Sequence, residues 1–150
     1  MEEIRREELE EAFSHGYRQY LTGRLALPQP YLRHFDDDIE IGISDYPEFR
    51  ADVPHVHPIA TEHVYVLSGA VRIRFFGDEA GDAEYRAGDF VLIRPGVPHA
   101  SKNAPGTRVL FVKSPGGNDK TVFPVGADTR EWLSAWDVPL SDGPAGEPRS

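Results

Sequence analysis

The chain of 150 residues is the size of one ordinary domain and long enough to enclose a single hydrophobic core. Its hydrophobic fraction of 39% suits a soluble globular protein, and the absence of cysteine excludes disulfides and thiolate ligands, so a bound metal would sit on His nitrogens and carboxylate oxygens. The net charge of −9 disfavours nucleic acid as a partner, because an acidic surface repels phosphate.

Six acids crowd the first eleven residues, and Asp36 to Asp38 form a second acidic run. A solvated helix face and a turn account for both. The charged start has no apolar leader-like core, and no apolar run approaches the roughly 20 residues of a membrane span. A cytoplasmic protein with no membrane partner is therefore expected.

Residues 2 to 21 read as an amphipathic helix, because Leu9, Ala12, Phe13, Tyr17, Tyr20 and Leu21 recur at spacings of three and four. Thr22 and Gly23 close it, and Leu27 to Pro30 is a breaker. From residue 38 the period becomes twofold: Ile39, Ile41 and Ile43 alternate with Glu40, Gly42 and Ser44. Strands follow at 62–68, 71–75, 84–87, 90–93 and 108–112, with a turn at 77–82. Short strands punctuated by Gly and Pro indicate an all-β sandwich or barrel. A short helix is expected around Arg130 to Trp136, and the tail from Ser141 cannot bury anything. The division expected is an N-terminal helix and linker over 1–35, a barrel over 36–125 and an extension over 126–150.

Three of the six histidines fall where a metal would use them. His55 and His57 sit two apart on extended chain, so both imidazoles point to one face. Glu62 heads the apolar strand Val64 to Leu67, where a buried carboxylate is costly without a cation or a hydrogen-bond network. If Glu62 and Val64 face inward, three ligands converge from two neighbouring strands. His99 follows the Pro95 to Pro98 turn that redirects the chain into a new strand. Taken singly, each of these residues is ordinary; together they suggest a site. Of the remaining polar groups, His63 and Tyr65 are expected opposite Glu62's face, and His15 and His34 on the surface. Arg72, Arg74 and Arg94 either place a cation at a cavity mouth or lie on an outer face.

The run His55-x-His57-x4-Glu62-x6-Gly69 closely resembles the first motif of the cupin family. Gly88 to His99, followed by Asn103, resembles the second. Phe49 stands where the first motif usually has glycine, and Arg94 where the second has proline. Both departures concern turns and touch no ligand. The resemblance spans roughly residues 36 to 113 and implies an all-β, single-domain jelly-roll barrel with flanking helical segments. It implies one divalent transition metal on His55, His57, Glu62 and His99, with Fe(II) favoured over Mn, Ni, Cu or Zn. Four protein ligands on an octahedral ion leave two open positions, as a catalytic site needs. The activity implied is a metal-dependent enzyme on a small oxygenated metabolite, most simply a dioxygenase with Glu62 as the catalytic carboxylate. An isomerase, epimerase, lyase or cyclase is the alternative, and a non-catalytic small-molecule sensor a further one. A storage protein normally carries two barrels and a leader. A homodimer is expected, with Tyr65 and Phe76 as contacts.

Overall fold

A computed structural model of the protein describes residues 2–25 and 35–140. The breaker at 27–30, His34 and the tail from 141 lie outside the described residues. Helix α1 spans Arg6–Phe13, shorter than the sequence pattern suggests. The Glu8 carboxylate accepts the Arg5 backbone N–H at 2.9 Å at its start, and the chain turns at residues 14–16. Beyond the turn the chain is not helical but extended, forming strand β1, Arg18–Thr22. Two interactions explain the difference. The backbone of β1 finds ladder partners on β2, Glu40–Tyr46, with Arg18 opposite Ser44 and Tyr20 opposite Gly42. The Gln19 amide stitches β1 back to the helix by donating to the Ala12 and Gly16 carbonyls, both at 2.9 Å. Tertiary pairing thus overrides a spacing compatible with either structure.

The remaining strands are β3 (Arg50–Ala51), β4 (His55–Val56), β5 (Thr61–Ser68), β6 (Ala70–Phe75), β7 (Gly81–Arg86), β8 (Phe90–Ile93), β9 (His99–Asn103), β10 (Thr107–Ser114) and β11 (Thr121–Val122). Helix α2, Ala127–Trp132, comes last and starts earlier than expected. Among the described residues the strands form two antiparallel sheets. One runs β1-β2-β10-β5-β8, the other β11-β4-β9-β6-β7 with β3 also on β9. Their inner faces enclose one jelly-roll barrel.

Two glycines set how closely the chain packs. Gly69, at φ +75°, joins β5 to β6, and a Cβ there would come within 2.6 Å of the Thr107 Cα. Gly42 faces inward, where a Cβ would meet the Phe111 ring, so its bareness lets that ring fill the barrel.

On β2 the inward positions are Glu40, Gly42, Ser44 and Tyr46, while Ile41 and Ile43 are half-buried on the outer face. The reason is visible inside. The barrel holds an apolar core of Tyr46, Val66, Val71, Ile73, Val91, Ile93 and Val109, and Tyr46, Val71, Ile73, Ile93 and Val109 also wall a cavity that Glu40 and Ser44 face. Each fully buried Val or Ile contributes about 1.5–3 kcal/mol, which offsets the cost of the polar groups buried beside them.

Candidate metal centre

A single row of Cα partners crosses the first sheet: Glu40 opposite Lys113, Lys113 opposite Glu62, and Glu62 opposite Ile93. In the second sheet His55 lies opposite His99. The two rows face each other across the cavity, which has a volume of about 140 Å³. His55, His57 and His99 are buried. The ligand atoms of His55, Glu62 and His99 all lie within 4.8 Å of one another, a cluster able to hold a metal ion. His57 is not part of that tight group, but its Nε2 stands 3.5 Å from Glu62 Oε2, and His99 Nε2 3.6 Å from the same oxygen.

The second nitrogen of each ring is already committed. His55 Nδ1 contacts the Val53 carbonyl at 2.7 Å, His99 Nδ1 the Val97 carbonyl at 3.1 Å, and His57 Nδ1 the Asp119 carboxylate at 2.7 Å. Carbonyls and ionised carboxylates only accept, so Nδ1 carries a proton in each ring, and in a neutral ring the Nε2 lone pair is then free. Burial, with the neighbouring His99, pushes His55 down to about 3. Burial likewise lowers His99, with Glu62 opposing it. Both rings are therefore neutral at ordinary pH, the form that binds a metal.

Glu62 Oε2 is buried and has no hydrogen-bond partner among the described residues. Leaving a carboxylate oxygen unsatisfied costs more than leaving a neutral group so. His57 Nε2 and His99 Nε2 face it at 3.5 and 3.6 Å, and the neutral His99 ring has no proton there to donate. Imidazoles plus one anionic oxygen suit a divalent transition metal better than Ca or Mg. The donor set fits such an ion.

Asp119 was not singled out by sequence. It lies on the loop between β10 and β11, 62 residues from its partner, and no spacing rule links it to His57. Its other oxygen accepts the Ile59 and Ala60 N–H groups at 3.1 and 2.8 Å. Burial opposes its ionisation, but these bonds and His57 hold it below the ordinary carboxylate range. Such a carboxylate fixes the orientation of a ligand ring and raises its basicity.

The arginines considered from sequence take no part in the cavity. Arg74 donates to Asp82 at 2.8 and 2.9 Å, and Arg72 to the Trp136 carbonyl at 2.8 Å, both on the outer face of the second sheet. Arg94 is exposed. Arg18, Lys113 and Lys120 line the cavity instead. His63 stacks on Phe90 at 6.0 Å outside the barrel, and Tyr65 is exposed there. Phe76 packs edge-on against Phe123, on the other sheet, so the two aromatics named as dimer contacts do not share a face.

Residues 44–113 match the family described as cupin domain. A search of curated proteins found no significant match. Among solved structures, a conserved protein with a double-stranded β-helix domain from Klebsiella pneumoniae is similar at 22% identity and TM-score 0.52, over 60% of this chain and 78% of that one. Oxalate decarboxylase from Bacillus subtilis is similar at 18% identity and TM-score 0.50, over 58% of this chain. The oxalate decarboxylase–formate complex from Lactobacillus farciminis is similar at 19% and 0.50, over 59%. The match spans only 24% and 28% of those two longer chains. At these identities the likeness concerns the fold. With both motifs in order on one jelly-roll barrel, residues 44–113 form a cupin domain.

Proposed function

We propose that the protein is a metal-dependent enzyme acting on a small oxygenated organic metabolite, with one divalent transition metal held by His55, His57, Glu62 and His99. The observation that carries this reading is the orphaned Glu62 Oε2, buried within 3.6 Å of the Nε2 atoms of both His57 and His99. When bound, the metal supplies Lewis acidity or, with Fe(II), the means to activate dioxygen. Dioxygenase-type chemistry with Fe(II) is the form we favour, and a non-redox isomerase or lyase is the alternative.

The chain's own residues shape what can react. Val64, Val71, Ile73, Ile93, Val109 and Phe111 wall the cavity and exclude water from its depth. Burial pushes Tyr46 up to about 12, so its hydroxyl is a hydrogen-bond donor and not a base at neutral pH. Glu62 supplies the single anionic ligand and thereby sets the charge of the centre.

Elemental analysis of protein purified without chelator or a His-tag, followed by an oxygen-uptake screen on hydroxy-acids, sugars and diketones, tests the reading. One metal per chain with Glu62-dependent turnover supports it. Glu62→Gln protein, metal-loaded and converting a substrate as fast as wild type, overturns the metal-centred mechanism.

We also infer a homodimer through the outer face of the first sheet. Tyr65 and Phe90 are Cα partners there, and Leu67 and Leu92 are exposed beside them on the same two strands. This is an uncharged patch on a chain of net charge −9. Light scattering on wild type and Tyr65→Asp/Phe90→Asp protein checks it: a monomeric wild type refutes the pairing.

A further inference from the structure

The charged groups lining the cavity are not scattered. Glu40 lies 3.4 Å from Lys113 Nζ, and both side chains are buried. Arg18 donates to Ser44 Oγ at 3.0 Å and stands 3.8 Å from Asp52. Asp52 in turn accepts the Ser101 hydroxyl at 3.1 Å. These cations are matched. Lys120 differs: it lines the same cavity from the β10–β11 loop, and among the described residues no carboxylate lies within ion-pair distance of it. Lys120 is exposed at the rim; partial burial lowers its pKa while Asp52 and Glu62, beyond ion-pair distance, raise it, and its charge acts on His55, which puts the ammonium near the histidines.

The charges inside the cavity do not cancel. A divalent ion on Glu62 leaves one positive charge, and Lys120 adds another. Counting Asp119 behind His57 still leaves the site cationic. A neutral ligand would leave Lys120, at the exposed rim of the cavity, without a close counter-charge. The cavity's volume of about 140 Å³ is well below the ~300–1,000 Å³ of sites for drug-sized ligands, so the occupant is small. With Asp119 counted the excess is about one positive charge, and a phosphate group, bringing roughly two negative charges, would overshoot it. A carboxylate suits it.

We propose that the ligand of this cavity is a small carboxylate anion, and that Lys120 is the residue that selects it for its charge. This deepens the enzyme reading and rests on it for the position of the metal. Three features set Lys120 apart: it lines the cavity, it has no carboxylate partner among the described residues, and it sits next in sequence to Asp119, whose contact with His57 anchors the loop. That anchor holds the selecting charge at a defined place relative to the metal ligands. The loop's Asn118 also lines the cavity, beside it.

The test compares molecules of one shape and different charge. Isothermal calorimetry on Mn(II)-loaded protein would titrate lactate, its neutral amide lactamide, and inorganic phosphate, with wild type, Lys120→Met and Lys120→Arg. The expected result is lactate binding at least tenfold tighter than lactamide or phosphate. Lys120→Met should weaken lactate about tenfold, leave lactamide unchanged and keep the metal content of wild type, and Lys120→Arg should restore lactate. Equal affinity for lactate and lactamide, preference for phosphate, no anion binding, or indifference to Lys120→Met overturns the inference. Failure of the metal reading shows separately, as absence of bound metal by elemental analysis. The same titrations on metal-free protein then decide: charge discrimination through Lys120 upholds the inference, and its absence ends it.

Discussion

Strand β9 carries two buried basic groups on opposite faces, and they have opposite fates. His99 points into the cavity, facing a carboxylate oxygen that has no hydrogen-bond partner among the described residues. Lys102 points the other way, fully buried beneath the C-terminal segment. Its ammonium donates to the Trp132, Ala135 and Val138 carbonyls, each at 2.8 Å, and sits 4.5 Å from the Trp132 ring centroid. Arg74 covers the same ring, and Arg72 covers that of Trp136. On the outer face, buried charge closes a helix end and fastens the chain that leaves it. On the inner face, buried polarity is left open. A charge whose donors are all used is structural, whereas one facing an orphaned acceptor leaves room for something else.

The contrast breaks most readily at the inner face. Replacing His99 or Glu62 by Ala should abolish stoichiometric metal binding, measured by elemental analysis, while circular dichroism still reports a folded barrel. Retention of a full equivalent of metal would show that the open polarity serves some other purpose. The outer face should respond in the opposite sense. Lys102→Met leaves buried carbonyls without a donor and should cost about 2–3 kcal/mol in denaturant unfolding, with metal content unchanged. Coupled loss of metal would mean that the two faces are not independent.

A finer distinction concerns Asp119. Asn in its place keeps the shape and loses the charge that orients His57, so metal affinity should fall about 10–100-fold, measured by competition with a chelating dye. The smallest effect is one of pH. Burial, with Arg72 and Arg74 nearby, lowers Lys102 from its ordinary 10.5 to about 8. Between these values the unfolded chain holds a proton that the native protein has released, so this group's contribution to stability rises with pH across that window. Unfolding curves of wild type and Lys102→Met at pH 7.5 and pH 10 should show the difference moving in favour of wild type at the higher pH.

Sequence carried the inner face further than the outer. That His55, His57, Glu62 and His99 turn into one cavity was legible because each sits at a fixed parity beside a turn, and strand geometry turns parity into direction. The strands over 62–68 and 90–93 were legible for the same reason. Residues 18–22 were not, because Tyr17, Tyr20 and Leu21 satisfy the helical spacing as well as the extended one, and only pairing with β2 decides. The direction of Glu40 and Ser44 was hidden too, since Ile41 and Ile43 are the natural choice for a core until the core proves partly polar. Lys102 and Asp119 depend on partners some 30 and 62 residues away, contacts that local pattern does not encode.

Strand β1 has a consequence for how such a protein can diversify. The four residues proposed to hold the metal all fall within the matched stretch 44–113. Arg18 and Tyr20 come from before it, and Asn118 and Lys120 from after it, yet all four line the same cavity. On the proposed reading, reactivity and selectivity are written in separate passages of one text. Drift in the flanking passages can exchange the guest while the inorganic chemistry is inherited intact, and two chains with the same motifs and different flanks need not share a substrate.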